Sequence, residues 1–231
     1  MTDRPRVAFD EEHAANYDKN FEKLAAFKDA LHILTRAALS DLPDGARVLC
    51  VGAGTGAELL YLAEAFPSWT FTALDLAAPM LDVCRRRVEQ AGIGERCTFH
   101  VGPIASLREP EPFDVATSFL VSQFVLDRGE RAAFFKEIAR RLRKGGRLVS
   151  ADLVGKVDAA PSDLLDIWLR VMQYNGATPE KLEGLLEAFR TAVAIVPEAN
   201  VMQLIEGAGF ETPTRIFQVG MIHAWHTCLA R

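Results

Sequence analysis

The sequence predicts an α/β fold in which helices cover both faces of a mainly parallel sheet. Short β-branched, apolar runs alternate with longer helical patterns from about residue 46 onward, and this alternation is typical of βαβ units. The runs are apolar almost throughout, as in strands covered on both faces. No repeat or low-complexity tract interrupts the pattern. We therefore expect one domain over residues 1–231.

Residues 10–42 precede the first strand and carry apolar side chains at helical spacing. They lead into a turn-rich stop from Ser40 to Gly45, so we predict one or two helices. The alternating units then follow in this order: strand Arg47–Val51, helix Ala57–Phe66, strand Thr70–Asp75, helix Pro79–Ala91, strand Cys97–Val101, strand Phe113–Phe119, helix Glu130–Leu142 and strand Arg147–Asp152.

The remainder of the chain departs from simple alternation. Residues 157–197 are mainly helical and too long for a crossover connection, so we expect a helical insertion. A helix is predicted over Val201–Ala208. Two β-like runs, Arg215–Val219 and Ile222–Leu229, are separated only by Gly220 and Met221. A link this short predicts a hairpin, so the last two strands should be antiparallel.

Composition excludes several classes of protein. With 26 basic and 31 acidic side chains the net charge is −5, which argues against a nucleic-acid partner because phosphate neutralisation needs a basic surface. We find neither a secretory signal nor an apolar run of about 18 residues, and expect a cytoplasmic protein without a membrane span. Four cysteines lie far apart, which predicts no metal site and no disulfide framework: Cys50, Cys84, Cys97 and Cys228.

A glycine-rich loop follows the first strand. Gly52, Gly54 and Gly56 lie in the turn before the next helix, where a Cβ would obstruct the tight turn and the approach of a ligand to unpaired N–H groups. Asp75 ends the second strand, where a carboxylate can accept both ribose hydroxyls of a nucleoside. Loop, helix and acid together predict a nucleoside-containing ligand.

The spacing of the loop fits two kinds of site. Gly52, Gly54 and Ala57 satisfy the pattern of a nicotinamide or flavin site, whereas Gly52, Gly54 and Gly56 give G-x-G-x-G. Local spacing leaves both open, and a nicotinamide oxidoreductase is therefore one alternative.

Further segments, together with the loop, resemble class I S-adenosylmethionine-dependent methyltransferases. They are Phe71–Leu81 around the second strand, Leu142–Leu148 with its paired glycines, and the terminal β pair. The resemblance runs from about residue 10 to the C-terminus. It implies a Rossmann-like, seven-stranded sheet in the order 3-2-1-4-5-7-6 with only strand 7 antiparallel. It also implies S-adenosyl-L-methionine as cofactor, a small-molecule methyl acceptor and, by family habit, a homodimer.

The same resemblance implies the cofactor site. The glycine loop would lie against the methionine part and the ribose, Asp75 would bind the ribose hydroxyls, and Leu76 with Met80 would flank the adenine. Ser118 and Phe119 are added because they end the fourth strand at the expected crevice, and Tyr17 because the N-terminal helix could close over the cofactor. The full predicted set is Tyr17, Gly52, Ala53, Gly54, Gly56, Asp75, Leu76, Met80, Pro103, Ile104, Ser118 and Phe119.

Two positions depart from the family pattern. Cys50 stands where many members have an acid that helps to hold the methionine amino group. The segment after the third strand lacks the acid that often contacts the adenine amino group, which leaves backbone groups near Pro103 and Ile104 for that contact.

Other segments are similar to carboxy-S-adenosylmethionine synthases, which serve tRNA wobble-uridine modification: Phe9–Asp18, Ser118–Phe124 and Ala208–Phe210. Those synthases hold the extra carboxylate with an arginine, where this chain has Gln203-Leu204-Ile205. Ordinary methyl transfer is therefore our main prediction. The synthase activity and a non-catalytic protein that binds S-adenosylmethionine or S-adenosylhomocysteine are the alternatives.

Methyl transfer from a sulfonium is an in-line displacement, for which the protein mainly aligns the acceptor and excludes water. A phenol or hydroxyl acceptor also needs a general base, whereas a carboxylate does not. Asp152 ends the fifth strand and is the candidate base. Tyr17 is a candidate catalytic and lid residue, since residues 10–42 could close over the cofactor.

The helical insertion is expected to form part of the acceptor pocket. The candidate substrate-binding residues there and after the fourth strand are Gln123, Arg170, Gln173 and Tyr174. The basic run Arg85–Arg87 is interpreted as a solvated helix C-terminus, where positive charges interact favourably with the helix dipole.

Overall fold

The computed structural model describes residues 10–155 and 163–230. These ranges contain eight α-helices and seven strands. The helices are α1 (Glu11–Asn20), α2 (Ala25–Leu39), α3 (Ala57–Ala65), α4 (Ala78–Gln90), α5 (Arg128–Ala139), α6 (Asp163–Tyr174), α7 (Pro179–Thr191) and α8 (Glu198–Glu206). The strands are β1 (Arg47–Val51), β2 (Thr70–Asp75), β3 (Cys97–Val101), β4 (Phe113–Phe119), β5 (Leu142–Leu153), β6 (Thr214–Val219) and β7 (Ile222–Cys228).

The strands form one sheet in the order β3-β2-β1-β4-β5-β7-β6. β7 pairs antiparallel with both of its neighbours, while the other pairings are parallel. The predicted sheet order and the terminal hairpin are therefore confirmed. Because the strand order reverses between β1 and β4, a crevice opens at the carboxyl ends of these two strands, where ligands bind in such sheets.

Both faces of the sheet are buried, which explains the nearly unbroken apolar strands. Val48 and Cys50 of β1 point into a core shared with α2, α3 and α4. Leu49 and Val51, with the opposite side-chain direction, point into a core shared with α5 and α8. Alternate residues of one strand thus enter two cores, as the period of a strand requires.

The predicted boundary between α5 and β5 is wrong. α5 ends at Ala139, three residues before the predicted end, and β5 begins at Leu142 rather than at Arg147. Leu142 pairs with Phe113 and Arg147 with Val115, so the strand contains a bulge around the paired glycines. Gly145 adopts a φ of 69°, a conformation that favours glycine, and this lets β5 continue through a segment that predicts a turn.

The first part of the predicted insertion, residues 157–162, lies outside the described residues. Within the described part it contains α6 and α7. Together with neighbouring elements they bury an apolar group of side chains, here called the α6–α7 cluster: Leu24, Leu153, Trp168, Met172, Phe189, Val193 and Met221. Within residues 10–155 and 163–230, no helix is long and apolar enough to cross a membrane.

Gly220, in the β6–β7 hairpin, allows α6 to pack against the sheet. Its φ is +54°, and a Cβ there would lie 2.6 Å from the Trp168 ring. We expect Gly220→Ala to lower the free energy of unfolding by about 1–3 kcal/mol more than Gly92→Ala, because overpacking adds to backbone strain. Gly92 has a φ of +70° and open space around its Cβ position. Urea denaturation of both variants measures the difference, and equal losses would contradict the packing role.

Candidate functional site

The glycine loop, residues 52–56, lies at the crevice between β1 and β4. Gly52, Gly54 and Gly56 all have positive φ angles, of 70°, 55° and 81°. A Cβ on Gly52 would overlap the Val121 side chain, and one on Gly56 would overlap the Cys84 sulfur. The loop therefore needs glycine at these positions for both conformation and close approach.

Asp75 holds this loop in place. Its Oδ2 accepts a hydrogen bond from the Gly54 N–H at 2.9 Å, and its Oδ1 accepts one from the Ala77 N–H at 2.9 Å. Each carboxylate oxygen still has acceptor capacity. Burial raises the pKa of Asp75, against the effect of these backbone hydrogen bonds. The arrangement suits a ligand that donates hydroxyl hydrogen bonds to the same carboxylate.

The residues predicted to flank the adenine occupy different environments. Leu76 is 72% exposed, so its apolar side chain is available to a ligand. Met80 is buried, and its Cε would lie 3.5 Å from a Cβ on Gly54, so it packs beneath the glycine loop. Ile104 points into the core, so its side chain is not available to a ligand. The adenine contact through the backbone of Pro103 and Ile104 stays a prediction. Gly102 joins the two strand ends by donating to the Asp75 carbonyl at 2.9 Å.

The end of β4 closes the crevice from the other side. Ser118 is buried, and its hydroxyl has no hydrogen-bond partner among the described residues. Phe119 ends the strand and is followed by Leu120, whose φ of 58° is the one positive value for a non-glycine residue in the described chain. Strain of this kind persists where the surroundings enforce it, and it clusters at ligand sites.

Helix α1 lies against the glycine loop. The Asp18 carboxylate accepts a hydrogen bond from the Thr55 hydroxyl at 3.2 Å and forms an ion pair with Arg87 of α4 at 2.8 Å. Arg87 also donates to the Thr55 carbonyl at 3.1 Å. We call these three residues the Asp18 latch. The interpretation of Arg87 as a solvated helix end is therefore wrong, because the side chain ties α4 to α1.

The latch places Tyr17 at the site. Its ring packs between His13 and Phe21, with centroid distances of 5.7 and 5.5 Å. Burial raises the pKa of Tyr17, and the charges of Asp18 and Asp75 raise it further. The phenol is therefore protonated at neutral pH and can donate a hydrogen bond towards the Asp75 side of the crevice.

Asp152, the candidate base, is fully buried at the end of β5. Its carboxylate lies 3.4 Å from the Arg131 guanidinium and accepts from the Ser122 hydroxyl at 2.7 Å and the Gln123 N–H at 3.0 Å. Burial raises the pKa of Asp152, while Arg131 opposes that effect. The catalytic role of Asp152 stays a prediction, and its contacts are those of a structural ion pair.

The candidate substrate residues are not gathered at one point. Gln123 is buried, and its side-chain oxygen accepts from the Leu153 N–H at 2.8 Å. Arg170, Gln173 and Tyr174 are exposed at the end of α6. There α6 meets the N-terminal helices, since Lys23 donates to the Tyr174 carbonyl at 3.4 Å. Their binding roles stay predictions.

The sequence analysis did not identify three residues that position the glycine loop and α1: Asp18, Thr55 and Val121. Thr55 lies inside the glycine loop, but its partner on α1 is 37 residues away in sequence. No local pattern indicates such a contact. Val121 carries a weak signal, because it lies two residues after the strand that borders the crevice.

The sheet order, together with a glycine loop that Asp75 at the end of β2 holds in place, defines a nucleoside-binding α/β domain of the class I methyltransferase type. Residues 48–146 match the family described as "Methyltransferase domain". This part of the chain is a class I S-adenosylmethionine-dependent methyltransferase domain, a family whose methyl donor is S-adenosylmethionine.

Known proteins agree with this assignment. The chain is 32% identical over 183 residues to a fatty-acid O-methyltransferase of Mycolicibacterium smegmatis, covering 75% of this chain and 62% of that protein. It is 28% identical over 172 residues to phthiotriol/phenolphthiotriol dimycocerosates methyltransferase 1 of Mycobacterium ulcerans, covering 73% and 61%. The chain thus spans less than two thirds of the length of these relatives.

A solved structure shows the same fold at lower identity. An O-methyltransferase family protein from Burkholderia thailandensis superposes with a TM-score of 0.70 at 15% identity, over 96% of this chain and 60% of that one.

The Asp18 latch yields a test of how α1 is held. Asp18→Asn removes the ion pair with Arg87, and a partly exposed pair contributes about 0.2–1 kcal/mol. We expect faster amide hydrogen exchange in residues 11–20 without a change in the exchange of β1 or β4. Asp29→Asn is the control, because it removes an exposed pair with Lys28 on its own helix. Equal exchange in α1 of both variants would refute the latch.

Proposed function

We propose that this protein transfers the methyl group of S-adenosylmethionine to the carboxylate of an apolar small molecule. The observation that carries the proposal is the glycine loop, held at the crevice by the Asp75 carboxylate through the Gly54 N–H at 2.9 Å. When bound, S-adenosylmethionine supplies a methyl group on a positively charged sulfur that leaves as a thioether.

The residues of the crevice fit this cofactor. Asp75 retains acceptor capacity for two ribose hydroxyls, and the exposed Leu76 offers an apolar face for the adenine. The positive-φ glycines give the loop the tight turn that brings its backbone to the ends of β1 and β2. Tyr17, held by the Asp18 latch, covers the crevice and excludes water, which strengthens the electrostatic interactions inside it.

The surroundings of the crevice favour an acceptor that needs no general base. Asp152 is buried in its ion pair with Arg131, and the Tyr17 phenol is held protonated. A carboxylate is ionised at neutral pH without assistance. It is therefore an acceptor that this site can use by alignment alone.

The α6–α7 cluster suggests which kind of molecule carries the carboxylate. Leu153 and Trp168 of this cluster lie near the ends of β4 and β5, with Leu120 packed against them. An acceptor that lies beside these side chains would contact apolar surface, which favours an apolar chain over a polar one. The similarity to a fatty-acid O-methyltransferase supports the same acceptor class. The homodimer and the cytoplasmic location stay predictions.

Asp75→Ala tests the cofactor site. We expect it to weaken binding of S-adenosylmethionine by about 1–3 kcal/mol, because the ribose hydroxyls lose a charged acceptor. Asp82→Ala on the exposed face of α4 is the matched control. Isothermal titration calorimetry measures both, and unchanged affinity in Asp75→Ala would refute the site. Tighter binding of carboxy-S-adenosylmethionine than of S-adenosylmethionine would favour the synthase alternative instead.

A panel of acceptors tests the reaction. With tritiated S-adenosylmethionine, we expect medium- and long-chain fatty acids to give methyl esters. The alcohols and phenols of matched length should react about 100-fold more slowly or not at all, because they need a general base. Preference for an alcohol, phenol or amine would refute the carboxylate acceptor. Binding of the cofactor without turnover of any acceptor would favour the non-catalytic alternative.

A further inference from the structure

Glu58 is a buried acid directly behind the glycine loop. It is the second residue of α3 and is only 8% exposed. Its carboxylate accepts hydrogen bonds from the Thr117 hydroxyl of β4 and from the Cys50 thiol of β1. The side chain thus reaches the ends of the two strands that border the crevice.

The charge of Glu58 has no counterion in the described part of the chain. None of the ion pairs among these residues includes it. Arg87, which contacts the Thr55 carbonyl of the loop, is paired with Asp18. A buried carboxylate without a cation is costly, and the N-terminus of α3 offsets only part of that cost.

The titratable groups that face Glu58 are themselves neutral at pH 7. Burial raises the pKa of Cys50 on β1 well above its usual range, and that of Cys84 on α4 to about 12. Burial likewise raises the pKa of Glu58 to about 7. Near neutral pH the free protein therefore holds a mixture of protonated and ionised Glu58, and a cation placed beside it would favour the ionised form.

S-adenosylmethionine carries two positive charges, its sulfonium and its ammonium group, and the second lies on the amino-acid end. Cys50, the residue two positions before the first glycine, is a neutral thiol and offers no anion there. We propose that Glu58 receives the ammonium group of the cofactor and that binding releases a proton from this carboxyl group to solvent. The inference rests on the proposed function, because it presupposes S-adenosylmethionine in the crevice.

Ligand comparison on the unaltered protein tests the proposal. Calorimetry at pH 7 in buffers of different ionisation enthalpy gives the number of protons released on binding. We expect about half a proton for S-adenosylmethionine and for S-adenosylhomocysteine, since both carry the ammonium group. We expect none for 5′-methylthioadenosine, which lacks the amino-acid end. Equal release for all three ligands, or release for none, would overturn the proposal.

The variant Glu58→Gln tests whether Glu58 is the group that releases the proton. Glutamine keeps the size of the glutamate side chain and one hydrogen-bond acceptor oxygen, but it has no carboxyl proton to release. Affinity of the unaltered protein for S-adenosylmethionine should fall about tenfold from pH 8 to pH 6, as Glu58 becomes protonated. Affinity of Glu58→Gln should be weak and independent of pH over this range. Glu64→Gln on the exposed face of α3 is the matched control and should keep the unaltered profile.

The outcomes separate this inference from the proposed function. Proton release that persists in Glu58→Gln would assign the proton to another group and refute the role of Glu58. Binding of S-adenosylmethionine without any pH dependence would refute it too, while leaving the methyltransferase function intact. Failure of the unaltered protein to bind S-adenosylmethionine would refute the proposed function itself.

Discussion

The functional half of the structure depends on one carboxylate, that of Asp75. It accepts one backbone N–H from the glycine loop and one from the turn after its own strand, so it fixes the ends of β1 and β2 relative to each other. Hydrogen bonds to a charged acceptor are stronger than neutral ones, which suits a loop whose glycines would otherwise be free to move. The same carboxylate then has acceptor capacity left for a ligand.

The cover of the crevice depends on contacts between distant parts of the chain. The Asp18 latch joins α1 to the loop and to α4, and the end of α6 meets the N-terminal helices through Lys23 and Asn175. Helix α1 therefore contacts the glycine loop and α4 on one side and the end of α6 on the other.

Two buried acids, Asp152 of β5 and Glu58 of α3, have different surroundings and therefore different roles. Asp152 has a cation, Arg131, and two further hydrogen-bond donors, so its charge is satisfied within the protein. Glu58 has only neutral donors. A cationic ligand can therefore pair with Glu58 but not with Asp152. The sequence pattern had pointed to Asp152, because it ends a strand, and not to Glu58.

The sequence by itself determined the sheet order, through the resemblance, and the position of the glycine loop and Asp75, because these depend on short-range patterns of apolar residues, glycines and an acid at a strand end. It misjudged the start of β5, since Gly145 and Gly146 predict a turn that the neighbouring strand converts into a bulge. Only the tertiary structure decided the Asp18 latch, the burial of Asp152 and the surroundings of Glu58. Each depends on side chains that are brought together from separate elements, and no local spacing encodes such contacts.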